Sequence, residues 1–382
     1  MANTAPKVAG KEREEAPAAV DRKAQVLADH IRKSKHLVTF TGAGVSTSAG
    51  IADFRGPEGA WTLMAQGREH ALRSVDTLQA MPTPTHMALV ELQNRGLLKY
   101  LISQNCDGLH RRSGILPGII SELHGNSNRE YCKDCGKDYI RDFRATAPDE
   151  SPVHDHRTGR KCAVCGGILL DSIINFGEDL PEVDFQRAYD HAEKSDVFLV
   201  LGSSLTVTPA NEIPTIPGQK RNPVLAICNL QKTPMDGLAD LRVFSKADDL
   251  MVRVMQKLDI PIPPFILHRR LVIRNEQNAR GKFQLHIIGE DVDGTPSTFL
   301  RSVRCSNNRR FVRAEPLKID FRGSLDPGTQ VELELEFMGN YGEPNLCVSH
   351  EHGGQIDEAV TYHLRYNPAD GKWDFNRASS PI

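Results

Sequence analysis

The spacing of apolar residues changes character near residue 260. Before that point, helical spacing alternates with short solid apolar runs. Residues 21–33 place Ala24, Leu27, Ala28 and Ile31 on one helix face. Residues 37–41 read as a strand that runs into Gly42. Helical spacing returns over 85–95, where Met87, Leu89, Val90 and Leu92 can be buried, and a second strand spans 100–103. A helix over 183–194, strands over 197–201 and 224–228, and a helix over 248–257 complete this part. Strands alternating with helices predict a parallel, doubly wound α/β sheet. Polar residues follow four of the strands, at 42–46, 104–107, 202–204 and 229–231. Open sheets of this class bind ligands at the carboxyl ends of their strands, so the four loops are expected to line one crevice.

The stretch Ile260-Pro261-Ile262-Pro263-Pro264 cannot be helical and reads as a linker. Beyond it the period is two. Val331, Leu333, Leu335 and Phe337 share one face, with Glu332, Glu334 and Glu336 on the other. Val360, Tyr362, Leu364 and Tyr366 repeat the pattern, and Phe283, Leu285 and Ile287 do so more weakly. Residues 265–375 are therefore expected to form a separate all-β, sandwich-like unit, followed by a tail at 376–382. Residues 1–20 mix Ala, Pro and charge and are expected to be mobile.

Composition narrows this picture only a little. The 382 residues are 39% hydrophobic with a formal charge of -2, which gives no global nucleic-acid signal. No apolar stretch approaches the roughly 20 residues that span a bilayer, so no membrane partner is expected. Glu12, Glu14 and Glu15 lie in a start without an apolar core, which predicts neither a secretory signal nor a mitochondrial presequence. The eight cysteines then point to a reducing compartment, cytosol or nucleus, and to metal ligation rather than disulfides.

Four motifs carry candidate chemistry. Gly42-Ala43-Gly44 sits between a strand and an expected helix start, where glycines let the backbone approach a pyrophosphate. Alone it also fits an ordinary tight turn, because Thr47 replaces the third glycine of the dinucleotide fingerprint. Gln104-Asn105-Cys106-Asp107 sets two amides and a carboxylate at a strand end, groups that can hold ribose hydroxyls and a carboxamide. A plain Asx turn is the alternative. His124, in Ser121-Glu122-Leu123-His124-Gly125-Asn126, offers an imidazole titrating near pH 6.5 (about the value for a free side chain) as a general base. A lone histidine is otherwise more often structural. Cys132-x2-Cys135 and Cys162-x2-Cys165, separated by 26 residues, supply four thiolates for a tetrahedral zinc. With the coordination sphere full, one zinc of structural role is expected. His154 and His156, between the pairs, read as solvated loop residues.

In combination, and with the continuation Gly50-Ile51-Ala52-Asp53-Phe54-Arg55-Gly56-Pro57, these segments resemble the sirtuins, NAD-consuming protein-lysine deacylases, from about Lys35 to Pro263. The resemblance implies a Rossmann-like catalytic domain over 21–263 with the zinc module inserted at about 125–175. It assigns NAD contacts to Gly42, Ala43, Gly44, Ser46, Thr47, Asp53, Phe54, Arg55 and Trp61. It places Gln104 at the nicotinamide ribose, Gly202, Ser203, Ser204, Asn229 and Gln231 at the adenosine ribose, and Ala247 near the adenine. Asn105 and Asp107 face the nicotinamide half and join His124 in the catalytic set. Ile174-Asn175-Phe176-Gly177-Glu178 resembles the loop whose backbone pairs with the substrate peptide as an added strand. Ala52 stands where the family usually has proline. Cys106 stands where it usually has an apolar residue, a change expected to add redox sensitivity.

The implied reaction uses NAD as co-substrate. The acyl-lysine carbonyl oxygen attacks C1′ of the nicotinamide ribose, nicotinamide leaves, and His124 helps the 2′-hydroxyl take the acyl group. Protein mono-ADP-ribosyl transfer would use the same first step, and a non-catalytic NAD-sensing chromatin adaptor is a third reading, disfavoured because a sensor needs neither His124 nor Asp107. Gly59-Ala60-Trp61-Thr62, Thr85-His86-Met87 and His156-Arg157-Thr158-Gly159-Arg160 resemble the class IV branch on its sirtuin-7 side. That branch implies histone tails as acyl-lysine partners and a nuclear location. The β unit has no counterpart in the family's core. Between residues 299 and 322 it interleaves Arg301, Arg304, Arg309, Arg310, Arg313, Lys318 and Arg322 with Phe299, Phe311 and Phe321. This is either a solvated face over an aromatic core or a basic surface for nucleosomes or nucleic acid.

Overall fold

Strand β1 (Leu37–Thr41) is buried along its whole length. Successive residues of a strand face opposite ways, and here each way lies an apolar layer. Leu37 shares a core with Leu27, Leu89 and Leu250, whereas Val38 and Phe40 share another with Ala188, Phe198 and Ile213. Such a strand belongs in the middle of a sheet covered on both faces. The computed structural model describes residues 10–278, 280–307, 309–323 and 325–378. Residues 1–9 of the segment expected to be mobile, and 379–382 of the tail, lie outside them.

Helices α1 (Pro17–Lys33), α2 (Ala60–Ala65), α3 (Pro84–Asn94) and α4 (Leu109–Ser113) alternate with β1, β2 (Leu98–Ser103) and β3 (Ile120–Glu122). An insertion follows with β4 (Arg129–Cys132), β5 (Asp138–Arg141), β6 (Arg157–Lys161) and β7 (Ile168–Asp171). Then come α5 (Glu182–Lys194), β8 (Val197–Leu201), α6 (Thr215–Gly218), β9 (Val224–Cys228), β10 (Leu241–Val243) and α7 (Ala247–Leu258). The main sheet has the order β10-β9-β8-β1-β2-β3 with every pair parallel. The chain leaves β1 in one direction and returns on its other side with β8, which makes the carboxyl ends of β1 and β8 the switch point of the sheet. Helix α1 starts at Pro17, a turn earlier than its apolar stripe suggests, because proline suits the first helical position and Val20 extends the buried face. Among the described residues no helix is long and apolar enough to cross a membrane.

The chain divides into two compact units. One holds the doubly wound sheet, with described residues up to Ser127, 149–156 and 172–265; the other holds 128–148, 157–171 and the described residues from Ile266 onward. The four-cysteine ribbon thus groups with the C-terminal strands, although the sequence reading sets it inside the catalytic segment.

Those strands are β11 (Leu267–Gln277), β12 (Phe283–Glu290), β13 (Ser297–Thr298), β14 (Leu300–Cys305), β15 (Arg310–Val312), β16 (Leu317–Asp320), β17 (Gln330–Phe337), β18 (Leu346–Glu351), β19 (Ala359–Asn367) and β20 (Lys372–Arg377). Two antiparallel sheets, β16-β12-β11-β19-β20 and β15-β14-β17-β18, close on one apolar core. Phe299 and Phe321 belong to that core. Phe311 is exposed, with the Arg304 and Arg313 guanidinium carbons 5.1 and 4.5 Å from its ring centre. Arg301 and Arg304 also lie 3.6 and 3.7 Å from Glu336 and Glu334 on β17, which offset part of their charge.

The remaining strand, β13, pairs in parallel with β5 of the ribbon. The Ile140 and Asp142 amides donate to the Pro296 and Thr298 carbonyls at 2.9 and 2.8 Å. This pairing covers an edge that would otherwise present open backbone groups. Arg141, buried, donates to Glu130 at 2.8 Å, to Thr298 and to Glu315, and Arg269 pairs with Asp142. Glu130 is fully buried. Burial pushes its pKa up, but hydrogen bonds from Arg160 and Thr158 and the Arg141 guanidinium outweigh this and leave it below 4.5.

Removing one partner of a buried charge leaves the other uncompensated, so Arg141→Ala is expected to destabilise this unit by about 3 kcal/mol. The near-UV signal of Trp373, which packs against Phe337 at 4.3 Å, reports it during denaturation. Because the folded-state pKa of Glu130 is depressed, its contribution is full above the unfolded value and is lost as pH falls through the folded one. Wild type and variant should therefore converge in acid. An unchanged denaturation midpoint at neutral pH would show that the ion pair does not support the unit.

Candidate active site

The two loops at the switch point meet backbone to backbone. The Gly42 amide donates to the Leu201 carbonyl at 3.0 Å, and the Gly44 amide donates to the Gly202 carbonyl at 2.9 Å. A Cβ on Gly44 would sit 2.7 Å from the Gly202 Cα, and Gly202 itself has φ +63°. Neither position has room for a side chain, so the glycines are explained by close approach of two chains. The helix expected after Gly42 is instead a pair of single 3-10 turns, Ala43–Val45 and Thr47–Ala49.

The loop after β2 closes on the same point. The Asn105 side-chain amide donates to the Gly42 carbonyl at 3.1 Å, and Ser46 donates to Asp107 at 2.7 Å. The second Asp107 oxygen accepts from the Leu109 amide at 2.9 Å. Ser203 donates to the Gln104 side-chain carbonyl at 2.6 Å. Gln104 Nε2 is buried and has no hydrogen-bond partner among the described residues, nor has Arg55 Nε. Buried donors of this kind need an acceptor, and a ligand carrying hydroxyls and phosphates provides one.

His124 Nδ1 lies 2.9 Å from the Gln104 backbone carbonyl. A carbonyl can only accept, so Nδ1 carries the proton and the Nε2 lone pair is the basic site. Burial lowers the His124 pKa below 6.5; the bond to Gln104 opposes this and the Arg55 charge reinforces it. The ring is therefore neutral at pH 7 and able to accept a proton. Gly125, at φ +80°, follows it where a Cβ would fall 1.8 Å from the Ser172 carbonyl oxygen. The Ile174 amide donates to the His124 carbonyl at 3.1 Å, so the loop 174–178 starts on the histidine's own backbone.

Asp53 accepts from the Gly56 amide at 3.0 Å, and burial raises its pKa. It shapes the turn. Arg55 lies 4.4 Å over the Trp61 ring, and Trp61 in turn contacts Phe54 and Phe176 at 4.7 and 5.4 Å. The Gln231 side chain donates to the Arg55 and Gly10 carbonyls, both at 3.0 Å, which ties the loop after β9 to the segment that carries Arg55. Asn229 donates to the Gln231 carbonyl at 3.0 Å, Ser204 bonds Thr206 at 3.0 Å, Thr47 reaches back to the Gly44 carbonyl at 3.3 Å, and Ala247 is buried at the start of α7.

Two residues that sequence reasoning passed over hold these loops. Arg242 donates to the Asn229, Gln231 and Val243 carbonyls at 3.0, 2.6 and 2.6 Å and pairs with Asp236 at 2.7 Å. Asp248 accepts from the Thr85 amide at 2.9 Å and from the Thr85 and Ser48 hydroxyls. An acid in the first turn of an expected helix was the only signal for Asp248, and Arg242 had none. Two expectations change. Cys106 donates to the His124 carbonyl at 3.1 Å and its pKa is pushed up to about 12 by burial, with Asp107 and Glu122 adding to the effect. Both effects disfavour the thiolate and so work against redox sensitivity at this position. His154 and His156 are not simply solvated, since both donate to Glu178 at 2.8 Å.

In the second unit, Cys132, Cys135, Cys162 and Cys165 bring all four sulfurs within 4.8 Å of one another. Cys132 and Cys165 are 3.4 Å apart, Cys135 and Cys162 3.7 Å. A tetrahedron with zinc–sulfur bonds near 2.3 Å has edges of about 3.8 Å, so the set fits zinc. Tyr139 supports it: the hydroxyl accepts from the Ala163 amide at 3.0 Å and donates to Cys162 at 3.2 Å. Four sulfur ligands leave no place for a reacting water, so the metal is structural.

Comparison with known proteins agrees with this geometry. Residues 67–209 match the model of the Sir2 family. The NAD-dependent protein deacetylase SRT1 of Arabidopsis thaliana is 46% identical over 336 residues, which cover 86% of this chain and 70% of that protein. The chain belongs to the Sir2 family. The human NAD-dependent protein deacetylase sirtuin-7 is 43% identical over 251 residues, 64% of this chain and 62% of that protein. A Sir2 structure with a deacetylated p53 peptide and 3′-O-acetyl ADP-ribose is 32% identical, covers 62% of this chain and 99% of its own, and superposes with a TM-score of 0.50.

For this Sir2 protein, His124→Ala is expected to lower turnover by about 10² to 10⁴ while fold and zinc content stay intact. Because the His124 pKa is depressed, the acidic limb of kcat/KM should lie below pH 6.5, and Arg55→Gln should move it upward by removing a neighbouring positive charge. A limb that does not move would separate Arg55 from the base. Cys132→Ser is expected to release zinc and unfold the ribbon, since binding energy at such sites is folding energy. Metal analysis and the Trp373 signal check this together.

Proposed function

We infer that this chain is an NAD-dependent protein-lysine deacylase that passes the acyl group to ADP-ribose and releases nicotinamide. The observation that carries the reading is the tautomer of His124, whose Nδ1–H is held by the Gln104 carbonyl so that Nε2 is a base beside the switch-point loops. NAD, when bound, supplies an electrophilic ribose carbon and a 2′-hydroxyl. His124 Nε2 takes the hydroxyl proton. Gln104 Nε2, buried without a partner, binds a ribose oxygen. Asn105 and Asp107, engaged with Gly42 and Ser46, keep the pocket rigid around the nicotinamide half. Gly202, Ser203, Ser204, Asn229 and Gln231 hold the adenosine side, with Arg242 fixing the backbone of the last two. The acylated lysine enters beside 174–178, its peptide pairing with that loop as an added strand.

Histone tails are the proposed substrates and the nucleus the proposed location, in keeping with the class IV resemblance. Arg304 and Arg313, on either side of exposed Phe311, are the proposed contacts with nucleosomal phosphate, and such contacts would weaken steeply with added salt.

Nicotinamide release, measured with and without an acetylated histone peptide, tests the reading. Release only with peptide, in step with acyl-ADP-ribose, is the expected result. Release accompanied by ADP-ribosyl label on protein would make the chain a transferase, and no release at all would make it a binding protein.

A further inference from the structure

The segment between the two cysteine pairs does more than join them. Residues 149–156 belong to the compact unit of the doubly wound sheet, whereas the stretches on either side belong to the ribbon's unit. Within their own unit they meet the loop 174–178. The His154 Nδ1–H and His156 Nε2–H both donate to one oxygen of Glu178, each at 2.8 Å. The other Glu178 oxygen accepts from the Asn175 amide at 2.7 Å. The Asn175 side-chain amide donates to the Val153 carbonyl at 2.7 Å. Three bonds therefore run from 153–156 to 175–178, and Glu178 also closes the turn within its own loop. The loop's other end is held by the Ile174 amide on the His124 carbonyl at 3.1 Å. Between these fixed ends, Gly177 has φ +92° with nothing within 4 Å of where a Cβ would be, and Phe176 is 55% exposed. A loop pinned at both ends with an open middle is the form required to receive a strand without first being ordered.

We propose that His154 and His156 are positioning residues for the substrate peptide: through Glu178 they preorganise the loop 174–178 on which the acyl-lysine strand pairs. The proposal rests on the deacylase reading of that loop. Neither histidine touches the reacting atoms. Freeing the loop adds an ordering cost to peptide binding and leaves the His124 chemistry alone. The effect belongs in the peptide KM and not in kcat or in the KM for NAD.

The test uses the full chain with His154→Ala and His156→Ala combined, and a second variant, His156→Gln, whose amide can still donate to Glu178. With a short acetyl-lysine peptide, the double variant is expected to raise the peptide KM by roughly three- to tenfold, the range for the net loss of an ordinary hydrogen bond. Both kcat and the KM for NAD should stay within about twofold, and His156→Gln should recover part of the loss. Hydrogen exchange at the amides of 174–178 is read on the same proteins without any turnover, and should quicken in the double variant. Unchanged exchange overturns the clamp whatever the enzyme does. Faster exchange with an unchanged peptide KM, or with kcat falling in proportion, overturns its role in substrate positioning. Absence of peptide-dependent nicotinamide release in the wild-type protein counts against the deacylase reading, and with it against a role in substrate positioning, and leaves the exchange result to decide whether the clamp exists.

Discussion

Two backbones cross at Gly44 and Gly202 with no space for a side chain between them, and the arrangement of the site depends on that contact. The loops after β1 and β8 can touch only because both residues lack a Cβ. Once they touch, the loop after β2 bonds to both: Asn105 to Gly42, Gln104 to Ser203. The Gln104 carbonyl then fixes the His124 ring. A steric constraint at the centre of the sheet is passed outward as a chain of hydrogen bonds, and it ends by selecting which imidazole nitrogen is basic. The low dielectric of the same place keeps that imidazole neutral and leaves Gln104 Nε2 and Arg55 Nε with unmet demand. Rigidity and unsatisfied polarity, usually in conflict, are here produced by the same packing.

The second unit rests on a different device. A ribbon of four short strands has little apolar core of its own, holding Cys132, Tyr139, Cys162 and Leu169. Metal ligation and the added strand β13 make up the deficit, and the buried Glu130 with Arg141 and Arg160 ties the ribbon to the strand that covers it. The C-terminal sheets therefore belong to the ribbon's architecture, and zinc and β unit are expected to support each other's folding.

Periodicity and local chemistry made much of this protein legible in its sequence. The solid apolar runs gave β1, β8 and β9, because a central parallel strand must be apolar on both faces. Period-two alternation gave β17 and β19, because a sandwich strand has one wet face. The cysteine spacing gave the metal site, because two short knuckles can place four sulfurs around one ion with little help from the rest of the fold. The loops at 42–46, 104–107, 202–204 and 229–231 were readable for a related reason: each lies directly after a strand, and the end of a strand in a doubly wound sheet faces the switch point, whereas His124 stood out by the resemblance of its motif.

Interactions between segments remote in sequence were decided by tertiary structure alone. The sequence names Cys106 and His154 but not their surroundings. A thiol against the His124 carbonyl is held as the thiol, and an imidazole on Glu178 is part of a clamp, yet neither partner is near in the chain. Arg242 shows no pattern as a strand residue, and its role comes from the Ile227, Asn229, Gln231 and Val243 carbonyls that curl around it. Strand β13, two residues long, carries too little periodicity to be seen, and its importance comes wholly from the edge it covers. The sequence determined which elements form and which chemistry is on offer, because those depend on neighbours within a turn or a strand. Tautomer, protonation and the joining of ribbon to sandwich depend on burial and on partners brought from far along the chain, and only the folded molecule supplies them.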